Sequence, residues 1–418
     1  MLLGCIADDL TGATDLSLMF VRGGMHTVQV IGLPEKGQSL PDADVVVIAL
    51  KSRSNSPEEA VSWSLAACDA LVEAGAKQIF FKYCSTFDST PKGNIGPVTD
   101  ALIDRLGACL TIACPAFPET GRSIYQGNLF VNGVPLNESP LKDHPLNPMM
   151  DSNLVRVLSE QTKYPVGLVP YEVVDAGPAA IEQEFQSSVE KILIVDSITN
   201  KHLFSIGRAC RDLKLITGGS GIAMGLPDNF RNAGLLKKQD MSVIFETPSG
   251  PAVILAGSCS AATLGQIEHA KLSGFPTRQI DALEIANGLE TVEAIVTWVS
   301  EKSGNKAPLI YSSGPPEQIA EVQKKLGREK AGALVEETFA EVAAELSKAG
   351  LGQLIVAGGE TSGAVVSALG INLLEIGPEI DPGVPWTRAL DGVDLALALK
   401  SGNFGAEDFF EKALEMLA

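Results

Sequence analysis

Short apolar runs that end in polar or glycine-rich loops, and are followed at once by amphipathic stretches, recur along most of this chain. That alternation leaves few architectures open. Residues 2–7, 45–50, 78–82, 110–113, 166–169 and 191–196 are rich in Val, Ile and Leu without strict alternation of polar and apolar positions. Such runs fit parallel strands buried on both faces. Helical stretches at 13–22 and 58–74 follow the first two and are closed by Gly23-Gly24 and Gly75. The pattern breaks at 237–251, where two lysines are followed by Gln239, Asp240 and then Thr247-Pro248-Ser249-Gly250-Pro251. It resumes with strands at 252–256, 309–312 and 353–357 and helices at 261–273 and 407–417. The expectation is an α/β protein of two domains, 1–236 and 251–418, each with a mainly parallel sheet flanked by helices.

Composition narrows the partners. A formal charge of -19 over 418 residues, with a pI near 4.7, argues against a sequence-independent nucleic-acid binder, which needs a basic face. No apolar run approaches the roughly 18 residues of a membrane span, and the opening residues reach acids too soon for a secretory signal. A cytoplasmic protein with no membrane partner is expected, and the oligomeric state is left open, a homodimer included. The cysteines at 5, 68, 84, 109, 114, 210 and 259 form no C-x-x-C pair, so buried reduced thiols are expected. Cys84 and Cys259 lie in polar loops and are the two that merit a reactivity assay. Four isolated histidines lack zinc-site spacing, so no protein-built metal site is expected.

In open α/β sheets, ligands bind where strand carboxyl ends meet helix N-termini, because backbone amides and the helix dipole point outward there. Asp8-Asp9-Leu10-Thr11-Gly12 occupies such a junction and suits a hydroxyl, a cation or a proton transfer. Lys51-Ser52-Arg53 follows a later strand, and the planar fork of Arg53 suits a carboxylate. The loop from Lys82 to Asn94 carries Lys82, Asp88, Ser89, Lys92, Gly93 and Asn94, and a further loop ends at Arg122. A small polyhydroxylated acid needs this mixture of cations, acids and amides. Near the other end, Gly358-Gly359-Glu360-Thr361-Ser362-Gly363 suits phosphate. Any one of these loops could be only a capped helix start, but the recurrence of charged loops at one sheet edge favours a site.

Other chemistries fit poorly. There is no Walker loop and no G-x-S-x-G elbow. Gly219-Ser220-Gly221 places its later glycine, Gly225, one residue too far for the dinucleotide fingerprint of a dehydrogenase. An aspartyl phosphatase needs an acid two positions after its nucleophile, where Leu10 stands.

Asp8-Asp9-Leu10-Thr11-Gly12-Ala13, Ser85-Thr86-Phe87-Asp88-Ser89-Thr90, Cys114-Pro115-Ala116-Phe117-Pro118, the glycine loop at 358–363, Pro382-Gly383-Val384-Pro385 and Lys400-Ser401-Gly402-Asn403-Phe404-Gly405 together resemble the four-carbon acid sugar kinases, in order and across the chain. The resemblance implies an N-terminal sugar-acid-binding domain and a C-terminal nucleotide-binding domain, with ATP and Mg2+ as cofactors. Within the family, residues 144–154 resemble the branch acting on 3-oxo acids more than that acting on threonate or erythronate. It further implies direct phosphoryl transfer. Arg53, with Lys82 or Lys92, would hold the carboxylate, Asp8 or Asp9 would serve the hydroxyl, and Ser258, the 358–363 loop, Gly402 and Asn403 would lie at the nucleotide. Closure of the domains over both ligands is expected. Asp196 and Asp381 receive no role.

Overall fold

The structure is a computed structural model and describes residues 1–35, 37–143, 147–236, 245–314, 322 and 324–417. The chain divides into two compact units, Met1–Ser242 and Val243–Ala418. Most of the expected 237–251 boundary, from 237 to 244, lies outside the described residues, as do 144–146 of the segment that resembles the branch acting on 3-oxo acids.

The first unit is built on β1 (Leu3–Ala7), β2 (Thr27–Ile31), β3 (Val45–Ala49), β4 (Gln78–Lys82) and β5 (Thr111–Cys114). To these are added β6 (Arg122–Tyr125), β7 (Asn128–Val131), β8 (Val134–Pro135), β9 (Val166–Val169), β10 (Ile192–Val195) and β11 (Leu215–Gly218). Strand order β2-β3-β1-β4-β11-β5-β10-β9 is parallel throughout. All residues of β1, β3 and β4 are buried, as expected of central strands covered on both faces. Helix Leu10–Arg22 starts where Asp9, in extended conformation, accepts the Gly12 amide at 2.9 Å, and it ends at Gly23 and Gly24. Helix Pro57–Glu73 starts on a Ser56 cap with proline in its first turn and two glutamates at its positive end.

A small antiparallel meander, β6-β7-β8, was not expected. Its two turns are Gln126-Gly127 and Asn132-Gly133, all four residues with positive φ, which is the twist that two-residue hairpins require. Asp196, at the end of β10, holds the first turn. Its carboxylate accepts the amides of Gln126 (2.7 Å), Gly127 (2.9 Å) and Tyr171 (2.9 Å), so this fully buried acid is structural.

The second unit contains β12 (Ala252–Ala256), β13 (Thr277–Gln279), β14 (Leu309–Tyr311), β15 (Gln353–Ala357), β16 (Leu373–Asp381), β17 (Val384–Ala389) and β18 (Ala396–Lys400). Its order is β13-β14-β12-β15-β18-β17-β16, with β17 antiparallel to both β16 and β18 and the other pairs parallel. Trp386 is fully buried and donates its indole N–H to Ala413 O at 3.0 Å, tying helix Phe409–Glu415 to the sheet. Asp381 is also structural, accepting the Ala406 amide at 2.8 Å and Lys412. Among the described residues no helix is long and apolar enough to cross a membrane.

Replacing Asp196 by Ala strands three amides in the interior. The first unit should lose about 3 kcal/mol or more, at roughly 1–3 kcal/mol for each unsatisfied donor. Urea denaturation of the two proteins measures the difference.

Candidate functional site

In the first unit, β1 lies between β3 and β4, so the loops after these three strands are neighbours at one sheet edge. The chain passes from β1 to β2 and β3 on one side before crossing to β4 on the other, which makes the β1/β4 junction a topological switch point. The ladder continues one residue past β1. Asp8 N donates to Lys82 O at 3.1 Å, and Asp8 O accepts the amides of Ser52 (3.0 Å) and Arg53 (3.2 Å). The direction of the Asp8 side chain is thereby set by both neighbouring strands.

Arg53 turns back onto the two acids. Its Nε and Nη2 donate to Asp8 at 2.9 and 2.7 Å, and Nη2 lies 3.0 Å from Asp9 Oδ1. This corrects the expectation that Arg53 is a free clamp for the substrate carboxylate, since its fork is taken by Asp8. Asp9 is the helix cap, and yet both aspartates converge on one guanidinium. Burial pushes the Asp8 carboxyl up, only partly opposed by Arg53. Burial acts on Asp9 in the same sense, but Arg53, Lys82, the Gly12 amide and Thr11 together hold it below the usual carboxylate value. Two acids around one cation separate in this way because both cannot be stabilised equally.

Lys82 is almost fully buried at the end of β4, and its ammonium has no hydrogen-bonded partner among the described residues. A Cβ on Gly12 would stand 3.0 Å from Lys82 Nζ and 2.2 Å from Asp9 Oδ1, so glycine there lets the cation and the cap share the helix start. The third acid near Lys82 is Asp15, which sequence reasoning missed. It is 5% exposed, accepts Ser220 Oγ–H on one oxygen and has no partner for the other among the described residues. Burial pushes it up to about 6, against Lys82 and Ser220. The glycines around Ser220 could have drawn attention to this contact, because Cβ atoms on Gly218 and Gly221 would collide with the loop after β5.

Several expected substrate ligands are otherwise engaged. Asn94 donates its amide to the carbonyls of Ser52 (2.8 Å), Arg53 (3.2 Å) and Asn55 (3.0 Å) and so shapes the loop, while its Oδ1 is buried with no partner among the described residues. Ser89 donates to Gln161 at 2.9 Å, and Gly93 is needed because a Cβ would lie 2.0 Å from Ser89 Oγ. Asp88 accepts Thr86 Oγ1–H at 2.7 Å beside Phe87, whose φ of 52° marks a strained loop. Arg122 opens β6 in the small antiparallel meander, outside the parallel sheet that carries the Asp8 cluster, and donates to Thr120 O. Lys51 and Lys92 are exposed, and Ser52 is buried with its amide on Asp8 O. The Cys84 thiol is pushed up to about 12 by burial, which removes it as a reactive group, while Cys109 and Cys259 are exposed.

The second unit repeats the arrangement with different residues. β12 lies between β14 and β15, again a switch point. Gly257 N and Ser258 N donate to Ala357 O at 2.9 and 3.1 Å, and Gly358 N donates to Lys400 O at 2.8 Å, tying three strand ends together. Gly358 has φ 138°, which side-chain-bearing residues rarely adopt, and a Cβ on Gly257 would stand 2.1 Å from Thr361 Oγ1. These loops line a cavity of about 390 Å³ together with Ile280, Ala282 and Val335 and the carboxylates of Asp281, Glu336 and Glu360. Helix Gly359–Ala368 begins at this cavity, and a Cβ on Gly359 would meet no atom of the described residues within 4 Å. Backbone amides at such a helix start suit phosphate, and the apolar wall suits a flat base.

Of the residues expected at the nucleotide, Ser258, Gly358, Gly359, Glu360 and Thr361 line this cavity. Ser362 is a correction. Its side chain is fully buried with its hydroxyl unpaired, because the helix turns it away from the cavity. Gly363, Gly402 and Asn403 do not line the cavity, although a Cβ on Gly402 would press on Ser258 Oγ at 2.2 Å.

A glycine-lined cavity at a helix start in one α/β unit, and an acid–cation cluster at a switch point in the other, define a two-unit ligand-binding protein with a phosphate-suited pocket. Residues 3–226 match the family pattern described as Sugar-binding N-terminal domain, and residues 253–410 match the one described as Nucleotide-binding C-terminal domain. The chain belongs to this family, the four-carbon acid sugar kinases. It is 52% identical to the 3-oxo-tetronate kinase of Pseudomonas fluorescens over 422 residues, which cover 100% of this chain and 97% of that protein. It is 51% identical to the 3-oxo-tetronate kinase of Cupriavidus necator, with the same coverage of 100% and 97%. A solved Haemophilus influenzae protein, 43% identical, superposes with a TM-score of 0.80 over 99% of this chain and 100% of its own.

The raised Asp15 yields a pH prediction. An acid whose value rises from 3.8 to about 6 on folding favours its protonated form in the folded state. Its stabilising contribution is full below about pH 4 and is lost as pH rises through 6. Asp15→Asn keeps an acceptor for Ser220 without the charge. It should be more stable than the wild type above pH 7, by on the order of 2–3 kcal/mol, and equal to it near pH 4. Melting temperatures across that range test this.

Proposed function

We propose that this protein is an ATP-dependent 3-oxo-tetronate kinase that phosphorylates the terminal hydroxyl of the four-carbon acid to give its 4-phosphate. The observation that carries the reading is full-length likeness to curated 3-oxo-tetronate kinases in a chain with a hydroxyl-suited cluster in one unit and a phosphate-suited cavity in the other. The first unit is assigned the sugar acid and the second the nucleotide, in keeping with the descriptions of the two family patterns.

The reaction forms a bond from the substrate O4 to the γ-phosphorus and breaks that phosphorus's bond to the β,γ-bridging oxygen, releasing ADP. Such transfers depend on positioning and on charge stabilisation more than on covalent help from the protein. Asp8, raised by burial and held in place by Arg53, is assigned the hydroxyl proton. Asp9 keeps the helix start in register, and Lys82 supplies positive charge beside the acids. With Arg53 engaged, Lys92 is the assigned partner of the substrate carboxylate. It is exposed in the loop after β4 and has no side-chain partner among the described residues. In the second unit, the Gly358–Gly359 amides and Ser258 receive the phosphates, and Ile280, Ala282 and Val335 cover the base. Asp281, Glu336 and Glu360 would offer hard oxygen donors toward a hydrated magnesium ion arriving with the nucleotide, which would supply positive charge against the phosphates.

A coupled assay of ADP formation across 3-oxo-tetronate, threonate and erythronate tests the reading. ADP should form with the 3-oxo acid and only slowly without an acceptor. A clear preference for threonate or erythronate would overturn the substrate. Asp8→Asn should lower turnover by about 10² to 10⁴ with little change in melting temperature, the range for loss of a general base.

Gly359→Ala should leave the fold intact, since among the described residues no atom lies within 4 Å of the new methyl. The methyl enters the space assigned to phosphate, so ATP affinity should fall at least about tenfold while sugar-acid affinity stays unchanged, as read by calorimetry.

A further inference from the structure

Lys400 closes β18 and is one of the largest fully buried side chains of the protein. Its ammonium spends its three protons on Thr263 Oγ1, Ser401 O and Gly402 O, each at 3.1 Å. None of these partners is an acid. Charged groups on the surrounding elements are engaged elsewhere or face solvent. Glu411 pairs with Lys306 and His269, Asp381 pairs with Lys412, and Glu407 and Asp408 are exposed. The ring of Phe409 lies 6.0 Å from the ammonium. A buried cation without a counter-ion is costly, and an apolar residue of similar size would normally serve the fold as well or better.

The three acceptors lead to the nucleotide cavity. Gly402 O also accepts Ser260 Oγ–H at 2.5 Å and Thr263 Oγ1–H at 3.0 Å, so the turn is fastened to the start of helix Ala261–Leu272. Gly402 runs beside Ser258, which lines the cavity, so closely that a Cβ on it would stand 2.2 Å from Ser258 Oγ, and the carbonyl of Lys400 itself accepts the amide of Gly358. One residue thus braces both phosphate loops, one through its side chain and the other through its backbone.

We propose that Lys400 is a positioning residue of the nucleotide site, fixing the Ser258 and Gly358 loops and supplying, from behind them, the positive charge that the phosphates of a bound nucleoside di- or triphosphate compensate. The proposal rests on the nucleotide reading of the second unit. Burial with no acid to offset it draws Lys400 down to about 7. An anionic ligand near the ammonium favours its charged form, so binding at a pH above 7 takes up a proton. Nucleotide affinity then weakens as pH rises past 7.

Calorimetry with ADP at pH 8, run in two buffers of different ionisation enthalpy, counts the protons. ADP itself is fully deprotonated at that pH. The wild type should take up about one proton per ADP bound, because Lys400 is mostly neutral beforehand and charged afterwards. Lys400→Met should fold with an unchanged or higher melting temperature, since Gly402 O keeps Ser260 and Thr263. It should take up no proton, bind ADP at least about tenfold more weakly, and raise KM for ATP by a similar factor while kcat changes less than about threefold. Lys400→Arg keeps the charge, so it should recover affinity without recovering the proton uptake. The proposal is overturned if the wild type binds ADP with no proton uptake, or if Lys400→Met binds ADP as tightly as the wild type. Failure of the wild type to bind ADP at all would overturn the nucleotide reading itself, and this proposal with it.

Discussion

The guanidinium of Arg53 sits between two adjacent carboxylates, and most of the first unit's chemistry follows from that contact. Asp8 and Asp9 are consecutive, Asp8 buried and Asp9 half-buried, and two adjacent carboxylates so placed need a fixed cation between them. Arg53 supplies it from the neighbouring strand, reaching both acids with one fork. The backbone makes this reach possible, because the amides of Ser52 and Arg53 both close on Asp8 O, while Asn94 grips the following carbonyls. With the loop held at both ends, the arginine has little freedom to leave. The acids are therefore organised before any ligand arrives, which limits the reorganisation left for the reaction itself.

The second unit solves a different problem with the same sheet geometry. A polyanion needs donors and room more than acids, so backbone amides replace side chains, and glycines stand where a Cβ would strike a neighbour or the ligand. Gly257 makes way for Thr361, Gly358 takes a conformation open to few other residues, and Gly359 leaves its outer side clear. The compensating rigidity comes from below the loops, from the strand-end hydrogen bonds and from Lys400.

Much of this was readable from the sequence. β1, β3, β4, β12 and β15 announce themselves as largely apolar runs, because burial on both faces leaves few polar positions. β16 and β17 do not, since Gly377, Pro378 and Pro385 punctuate them and read as loop. The meander of β6 to β8 was missed although Asn132-Gly133 is a strong hairpin signal, because its strands are only two to four residues long. At the sites, sequence spacing placed Asp8, Arg53 and Lys82 on one sheet edge but carried no information about which way a guanidinium turns. Asp15 and Ser220 meet across 205 residues, a contact that no local pattern encodes. Lys400 stood inside a recognisable motif with no role, because burial without a counter-ion is visible only in three dimensions.

At each switch point the strands carry the fold while the loops leaving them carry the recognition. The residues that ring the acid cluster in the first unit, from 51 to 56 and from 84 to 94, belong to no strand of the parallel sheet. They can change without altering a single ladder hydrogen bond. Divergence toward a different acid is therefore expected to be written in these segments and to be silent in the strands. Two relatives of nearly identical backbone can then differ in the molecule they accept, and the loops are the place to read that difference.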